Sequence, residues 1–540
     1  MTDPTIQQLV AQWSQQTPDR PALTGNGRTW THAELNRDVE RLGAGLRGAG
    51  LIPGDRVAVF ASNHPAVVLT WLACARTGII SSVINQFLKA QELAWVLGHL
   101  GARMAIAGPD EVETVAEALK LANMRIPVYV IDGETGEHTF DQLLNAEPDA
   151  GRHPSPDDIL EITFTSGTTG NPKGAVFDHR AHIYSCTAAI ERYRWTPESV
   201  GFTMMPLFHA GGIRVSVLPA LMAGGHAIIG QFSLTRFWED TRTFRITHFA
   251  TIDTILILLI KQDPRPDDTE VPLRVGMGAG PPEVLSAFED RFDMDFQQAY
   301  GMTECSMVLT SPAPGIEADR AALQEQRRLV PSANYVGVPL GERTEIRLVD
   351  ADGNDVPDDT VGQFVIRSPG MLREYYHDDE ATRQILRDGW LYSGDTGLRS
   401  SQNGAYYYVD RSKDMIRRSG ENIAPRQVEE VLVAHPGIAM AAVHPVPDEL
   451  RMQAVKAVVV RAGASAVTAE ELWLWCDDRL ADYKVPRYIE FVEQMPLTST
   501  GKIVKSRLRE LGITPTTFDR GDRSNKQARE KRKRRAAIGS

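Results

Sequence analysis

From Thr163 to Gly174 the chain reads Thr-Phe-Thr-Ser-Gly-Thr-Thr-Gly-Asn-Pro-Lys-Gly. Thr165, Ser166, Thr168 and Thr169 supply hydroxyl donors, and Lys173 supplies a cation. Gly167, Gly170 and Gly174 let the backbone turn its N–H groups outward. Hydroxyls, exposed N–H groups and one lysine are what holds a polyphosphate. The segment follows an apolar strand, Ile159–Phe164, so it stands at a strand end. It is not a Walker A loop, because Lys173 comes three residues after Gly170 and a glycine follows it. A flexible Gly/Thr linker is the bland alternative. The density of donors and the Pro-Lys-Gly ending argue against it.

Further along are other segments with chemistry in them. Ala299-Tyr-Gly-Met-Thr-Glu304 offers a flat ring that can lie on a purine and a carboxylate, a hard oxygen ligand suited to Mg²⁺. Gly276-Met-Gly-Ala-Gly-Pro-Pro282 is a run of small residues past which a backbone can approach a ligand. Tyr392-Ser-Gly-Asp395 carries a carboxylate able to accept two O–H bonds at once. Asp410-Arg-Ser-Lys-Asp414, Met415–Ile423 and Pro496-Leu-Thr-Ser-Thr-Gly-Lys502 complete the series.

In this order these segments resemble the signatures of the adenylate-forming (ANL) superfamily. That superfamily holds acyl-CoA synthetases, non-ribosomal peptide adenylation domains and beetle luciferases, and the resemblance extends over residues 5–510. It implies an ATP-dependent ligase of the acyl-CoA synthetase branch. A carboxylic acid and ATP give acyl-AMP and pyrophosphate, and CoA then gives acyl-CoA and AMP. By the same resemblance Thr165, Ser166, Gly167, Thr168, Thr169 and Lys173 hold phosphates. Gly278, Ala279 and Gly280 lie beside adenine, where the match is looser: Ala279-Gly280 inverts the usual order and Pro282 replaces an aliphatic residue. Tyr300, with Gly301, packs on adenine, Thr303 contacts the α-phosphate and Glu304 holds Mg²⁺. Asp395 and Arg411 bind ribose. Lys502 reaches the carboxylate and the α-phosphate during adenylation. Lys413 is the hinge of a domain rotation that removes Lys502 and brings in Gly420 to line the pantetheine tunnel. Arg417 stands beside Gly420 in that step, unless it is only solvated charge. ATP, Mg²⁺ and coenzyme A are thus the implied cofactors and co-substrates.

Pro206-Leu-Phe-His-Ala-Gly-Gly-Ile213 matches the segment at the acyl pocket, with Ile252, Asp253, Gly301 and Met302 completing it by resemblance. Amino-acid adenylation domains keep an Asp here to pair the substrate ammonium, and none occurs between Pro206 and Val217. An amino acid is therefore disfavoured. Ala210, Gly211 and Gly212 are small and uncharged, which suggests a roomy apolar pocket for a medium or bulky acid, such as a cyclic or terpenoid one. His209 resembles the gating ring of acyl-CoA synthetases; a satisfied core histidine is the alternative. Asp253 departs from the common Val-Pro-Thr. It either tunes the substrate or caps a helix at Thr251–Thr254, and the cap is preferred. An acyl carrier protein is the rival acceptor to CoA, and a non-catalytic nucleotide-binding relative is the rival of another class. Only ~38 residues follow Lys502, so a free-standing enzyme is expected, and a homodimer is compatible with the sequence.

The elements that must position these residues can be read from periodicity. Asp55–Ala61, Ile79–Ile84 and Val128–Asp132 read as strands and Val67–Thr77 as a helix. Such alternation argues a parallel sheet covered by helices. Thr31 with Glu34, and Thr468 with Glu471, have capping-box spacing. Glu345–Val349 and Gln363–Arg367 around Asp352-Gly353 read as a hairpin. Val428–Ala434 and Thr468–Ala481 read as helices, and Tyr406–Val409, Met440–His444, Ala454–Arg461 and Glu490–Val492 as strands. The fold class is α/β: a large N-terminal domain of parallel α/β sheets (1–409) with a small β-barrel-like subdomain at 335–409. A hinge at 410–413 and a small mobile α+β C-terminal domain at 414–515 follow.

Composition agrees. The chain has 540 residues, 42% hydrophobic and 24% charged, which is ordinary for globular proteins. Its net charge of −12 excludes a basic nucleic-acid-binding body. Asp519–Arg535 carries nine Lys/Arg against three acids. That tail is expected to be disordered and solvated, with RNA or anionic lipid as the sharper alternative. Four scattered cysteines argue for a reducing compartment, without a disulfide framework or a zinc site. The N-terminus lacks the pattern of a secretory signal. The longest apolar run, Ile255–Ile260, is far shorter than the ~20 residues of a membrane span. A cytoplasmic protein is expected.

Overall fold

The computed structural model describes residues 4–133, 138–148, 154–165, 172–251, 253–312, 319–330, 333–411, 416–418, 421–423, 425–448, 452–480, 483–497 and 503–521, with the backbone alone at 253, 254, 410, 411, 417, 421, 422 and 452. Three sheets organise these residues. In the largest, hydrogen-bonded neighbours run Glu345–Val349, Gly362–Arg367, Trp390–Arg399, Tyr406–Arg411, Asn334–Pro339, Ser306–Thr310, Asp295–Met302, Val275–Gly278, His248–Thr251, Val200–Thr203, His226–Ile229, Pro21–Gly25 and Arg28–Thr31. Strands from Asp295–Met302 to Pro21–Gly25 pair in parallel. The strands from Ser306 to Arg411 pair antiparallel. The β-rich segment expected near residue 335 is therefore hydrogen-bonded to the parallel half through Ser306–Thr310.

The second sheet runs Glu374–Tyr375, Gly174–Asp178, Ile159–Phe164, Ile80–Val83, Arg56–Phe60, Met104–Ala107 and Val128–Val130. Its middle strands are parallel, as the strand–helix alternation predicts. Between the two sheets lies the helix Pro65–Thr77, started by Pro65 at its first position with His64 as N-cap. Its sequence is apolar nearly all round, so it must be enclosed on every side. One apolar cluster indeed joins Val68, Trp71 and Leu72 of this helix to Val57 and Val83 of one sheet and to Ala250 and Met277 of the other. The helix His32–Gly48 flanks it and begins with the expected capping box, Thr31 and Glu34 bonding each other's backbone N–H.

From Ile416 onward the chain builds a third sheet with its own core of Ile416, Val428, Val443, Ala457, Val459, Leu472 and Ile489. Helices Pro425–Val433, Ala469–Asp477 and Lys505–Leu511 accompany it. The capping box at Thr468 is formed, but the helix ends at Asp477 and not at Ala481. No glycine or proline marks that stop in the sequence. All four cysteines are buried and free. No helix among the described residues is long and apolar enough to cross a membrane.

This architecture places the functional candidates together. Register aligns Thr203 with Ile229, and Thr251 with Gly278 and Gln298. All but the last of these strands thus end along one edge; the loops carrying His209 and Ala279 leave from it, and Tyr300 lies just past Gln298 on the strand Asp295–Met302. Open parallel sheets bind ligands outside the carboxyl ends of their strands.

Candidate active site

The phosphate segment joins two antiparallel strands, Ile159–Phe164 and Gly174–Asp178. Its base is closed twice. The Thr165 N–H donates to the Lys173 carbonyl at 2.9 Å, and the Lys173 N–H donates to Thr165 Oγ1 at 3.4 Å. Ser166, Gly167, Thr168 and Thr169 lie outside the described residues. Lys173 Nζ stands 5.2 Å from the ring centroid of Tyr375, within cation–π range. Tyr375 belongs to the two-residue strand that pairs with Gly174–Asp178. Its hydroxyl donates to Glu304 Oε1 at 2.6 Å. Burial, reinforced by the Glu304 charge, pushes the Tyr375 phenol well above its ordinary range. It therefore stays protonated as a donor. The Glu304 carbonyl accepts from the Leu372 N–H at 2.7 Å, which ties the same turn to the segment just before that strand. Lys173 and Glu304 are thus joined through a tyrosine that the sequence reading did not single out.

On the other side of Glu304, the Tyr300 ring stacks on Phe364 at 5.2 Å and leans on Tyr408 at 5.7 Å. Its hydroxyl donates to Asp395 Oδ2 at 2.8 Å, with both groups buried. The residues expected at adenine and at ribose are therefore in direct contact. Asp395 stands opposite Arg411 across the Trp390–Arg399 and Tyr406–Arg411 pairing, so both expected ribose residues occupy one register position.

The segment Pro206–Gly212 folds back on itself. The His209 N–H donates to the Pro206 carbonyl, and the Gly212 N–H to the His209 carbonyl. The Gly211 N–H donates to His209 Nδ1 at 3.1 Å, which fixes the ring against its own loop. A Cβ on Gly212 would stand 2.4 Å from the Pro206 carbonyl oxygen and 2.7 Å from Leu207 Cα. The space read as pocket volume at Gly212 is therefore filled by backbone. The smallness of this residue closes the turn; it does not widen a cavity. Gly278 has φ +147°, and a Cβ there would meet the Thr251 carbonyl oxygen at 2.1 Å. Its absence lets two parallel strands end side by side at the site. Ala279 and Gly280 follow, with Gly280 against Leu285 and Leu256. Gly301 backs onto the Ser306 carbonyl, and Met302 pairs with Ser306. The helix Asp253–Ile260 has Asp253 as its first residue. The Asp253 side chain, like Ile252, is outside the described residues, and so are Lys413, Gly420, Lys502 and the side chains of Arg411 and Arg417.

A buried ionic cluster lies beneath the hairpin. Burial alone would raise the Glu161 carboxyl, but a hydrogen bond from His182, the nearby Arg214 and the Thr163 hydroxyl hold it down to about 2. His182 Nε2 is 3.0 Å from Glu161 Oε2, and Trp71 Nε1 donates to that oxygen at 3.3 Å. Two sequence signals pointed here: a glutamate in the apolar strand Ile-Leu-Glu-Ile-Thr-Phe, and an arginine in the apolar run Ile213–Met222. A charge on an apolar face requires a partner.

A family model described as AMP-binding enzyme matches residues 10–376, and one described as AMP-binding enzyme C-terminal domain matches 427–502. The chain is similar to a feruloyl-CoA synthase of Amycolatopsis sp, at 35% identity over 91% of this chain and 96% of that protein. It is similar to a sulfoacetate–CoA ligase of Cupriavidus necator, at 31% identity over 93% and 97%. Among solved structures, a benzoate CoA ligase from Burkholderia xenovorans superposes with a TM-score of 0.83 at 26% identity, covering 94% of this chain and 100% of that one. The chain belongs to the AMP-binding enzyme family, in its acyl-CoA synthetase branch.

Proposed function

We propose that this enzyme joins a non-amino, medium or bulky, largely apolar carboxylic acid to coenzyme A through an acyl-adenylate. The observation that carries the reading is the continuous chain Lys173–Tyr375–Glu304 beside the Tyr300–Asp395 pair, at the carboxyl edge of the parallel strands. A carboxylate is a poor electrophile with a poor leaving group. Its attack on the α-phosphorus of ATP, with loss of pyrophosphate, solves both problems. Two anions must then meet, so cations and N–H donors are needed where charge concentrates. The Thr165–Lys173 turn would cradle phosphates, with Thr303 at the α-phosphate. Asp395 would accept the ribose hydroxyls, with Arg411 beside it.

Glu304 fits a Mg²⁺ ion that arrives with ATP. It is a carboxylate oriented by Tyr375, and no set of three metal-ligating side chains occurs among the described residues. The other ligands would be phosphate oxygens and water, the usual pattern for Mg²⁺. When bound, the ion would neutralise charge on the departing pyrophosphate.

For the second half-reaction the CoA thiolate attacks the acyl carbonyl and AMP leaves. Lys502 would serve only the first step. Rotation about Lys413 would withdraw it and bring Gly420 and Arg417 forward. In this reading residues 1–409 adenylate, 410–413 hinge and 414–515 move. The buried free thiols fit a reducing, cytoplasmic setting.

The absence of an acid between Pro206 and Val217 disfavours an amino-acid substrate. With Gly212 filled by backbone, support for a bulky acid shifts to an aromatic lip. Phe87 is 53% exposed and packs edge-on to Phe208, next to His209, at 6.4 Å. The similarity to a protein named feruloyl-CoA synthase supports a ring-bearing acid; a cyclic or terpenoid acid is the specific candidate.

One incubation tests this: protein, Mg-ATP, CoA and a pool of linear, aromatic and polycyclic acids, read by mass spectrometry. Acyl-CoA from ring-bearing acids is expected. Acyl-AMP without acyl-CoA would move the acceptor to a carrier-protein phosphopantetheine. Products from linear acids alone would sink the substrate class, and no product of either kind would sink the activity.

A further inference from the structure

Arg214 is 3% exposed, in an apolar helical stretch that follows the His209–Gly212 loop. That stretch, Ile213–Val217, is a π-helical turn, and single π turns inside proteins gather at functional sites. Its hydrogen bonds reach back into the acyl loop. The Val215 N–H donates to the Ala210 carbonyl, the Val217 N–H to the Gly212 carbonyl, and Ser216 Oγ to the Gly211 carbonyl at 2.8 Å. The loop and the π turn are therefore one body.

From this body the Arg214 side chain crosses to the other half of the site. Its Nη1 donates to the Thr303 carbonyl at 3.3 Å. Its guanidinium lies on the Phe177 ring at 4.6 Å, and Phe177 is on the second strand of the phosphate hairpin. Glu161, on the first strand, supplies the compensating charge. The Arg214 carbonyl accepts from the Cys186 thiol. One side chain, rising from the π turn bonded to the acyl loop, thus touches or balances both strands of the phosphate hairpin and the turn bearing Thr303 and Glu304.

We infer that Arg214 is a positioning residue that sets the acid-binding loop and the Thr303–Glu304 turn at the spacing adenylation needs. This rests on the functional reading above. In that reading the acid's carboxylate would meet the His209–Gly212 loop and the α-phosphate the Thr303 turn, the two parts that Arg214 ties, and a misplacement of ~1 Å between reacting groups can cost ~10²-fold in rate. Lysine keeps the charge beside Glu161 but lacks the planar fork that stacks on a ring while donating.

The test uses the full chain carrying Arg214→Lys. Hydrogen exchange read by mass spectrometry is expected to rise in peptides spanning 206–217 and 300–306 and to stay unchanged in the third sheet. With the acid found by the pooled assay, ATP–pyrophosphate exchange is expected to lose ~10–100-fold in kcat, with KM for ATP within ~3-fold. Unchanged hydrogen exchange overturns the inference, whatever the turnover. So does a wild-type kcat. Wild-type protein that exchanges pyrophosphate with no acid would fail the functional reading instead, while hydrogen exchange still judges the tie. A second variant separates positioning from folding. Arg214→Met alone leaves buried Glu161 with His182, Trp71 and Thr163 but without the arginine's charge, and lowers the melting temperature; Arg214→Met with Glu161→Gln removes both opposite charges together. We expect the double variant to regain melting temperature but not kcat. Recovery of both would make Arg214 merely structural.

Discussion

His179 is the first residue of the helix His179–Tyr193, directly after the hairpin strand that leads from Lys173. It is 1% exposed, and neither ring nitrogen has a hydrogen-bond partner among the described residues. Burial, with the nearby His182 charge adding and Asp158 opposing, lowers it from 6.5 to about 4. Above pH 6.5 the ring is neutral whether folded or unfolded and contributes no pH dependence. Below 6.5 the unfolded chain takes up a proton that the folded chain refuses until about pH 4, so stability is lost across that window. Linkage between 6.5 and about 4 gives a loss of about 1 kcal/mol at pH 5.5 and about 2–3 kcal/mol at pH 4.5. His226, His248 and His444 are lowered to about 4, chiefly by burial as well. His444 belongs to the third sheet, so three such groups act on the N-terminal sheets; together they approach the ~5–15 kcal/mol stability of a domain, and acid unfolding there should begin near pH 5. Glu161 does not contribute there. Held at about 2, its stabilisation is complete above 4.5 and is lost only from pH 4.5 down to about 2. The perturbation is His179→Leu, and the assay is urea unfolding by circular dichroism from pH 7.5 to 4.5. Whatever the offset at pH 7.5, the variant's stability should fall less than the wild type's, by the amounts above. Parallel curves from pH 6.5 to 4.5 would refute the reasoning, because they would mean that this ring takes its proton in the folded state.

Three further outcomes follow from the site. Lys502→Ala should cost ~10²–10³ in adenylation, the scale of one preorganised electrostatic contact, and spare CoA transfer from supplied acyl-adenylate; equal loss in both half-reactions would reject the division of labour. Tyr375→Phe keeps the ring beside Lys173 and removes the bond to buried Glu304. A hydrogen bond to a charged group contributes ~1.5–3 kcal/mol, so ATP–pyrophosphate exchange should fall ~10–100-fold, and an unaltered rate would show that Glu304 needs no such support. Gly212→Ala places a Cβ 2.4 Å from the Pro206 carbonyl oxygen and should destabilise by ~1–3 kcal/mol while lowering activity. Gly211→Ala meets only side chains, His209 Nδ1 at 3.3 Å and Met205 at 3.5 Å, and should lose less on both measures. Equal melting temperatures for the two would mean that the loop opens freely.

What could be read in advance was local. The capping boxes at Thr31 and Thr468 are contacts three residues apart, decided by residue type and spacing. The hairpin Glu345–Val349 with Gly362–Arg367 follows from period-two patterning around a turn. The phosphate segment declared itself because its chemistry is concentrated in one stretch, and its hairpin base is closed by Thr165 and Lys173 as a strand-end loop should be. The end of the helix at Asp477 was not legible, because no residue there forbids another turn.

Distances in sequence explain what was missed at the site. Tyr375 reaches Glu304 across 71 positions, and Arg214 reaches Thr303 across 89. Neither pair has a spacing to recognise, since each exists only after the sheets have assembled. A charge in an apolar run announces that a partner must exist, but not which one. The free energy of burying Glu161 depends on His182, Arg214 and Thr163 arriving together. The same logic reverses the reading of Gly212. Small residues in a row read as open space, yet a missing side chain is equally what a tight backbone crossing demands. Only the neighbours decide, and here they are Pro206 and Leu207 of the same loop. The Phe87–Phe208 contact beside this loop was equally invisible, because 121 positions separate the two rings.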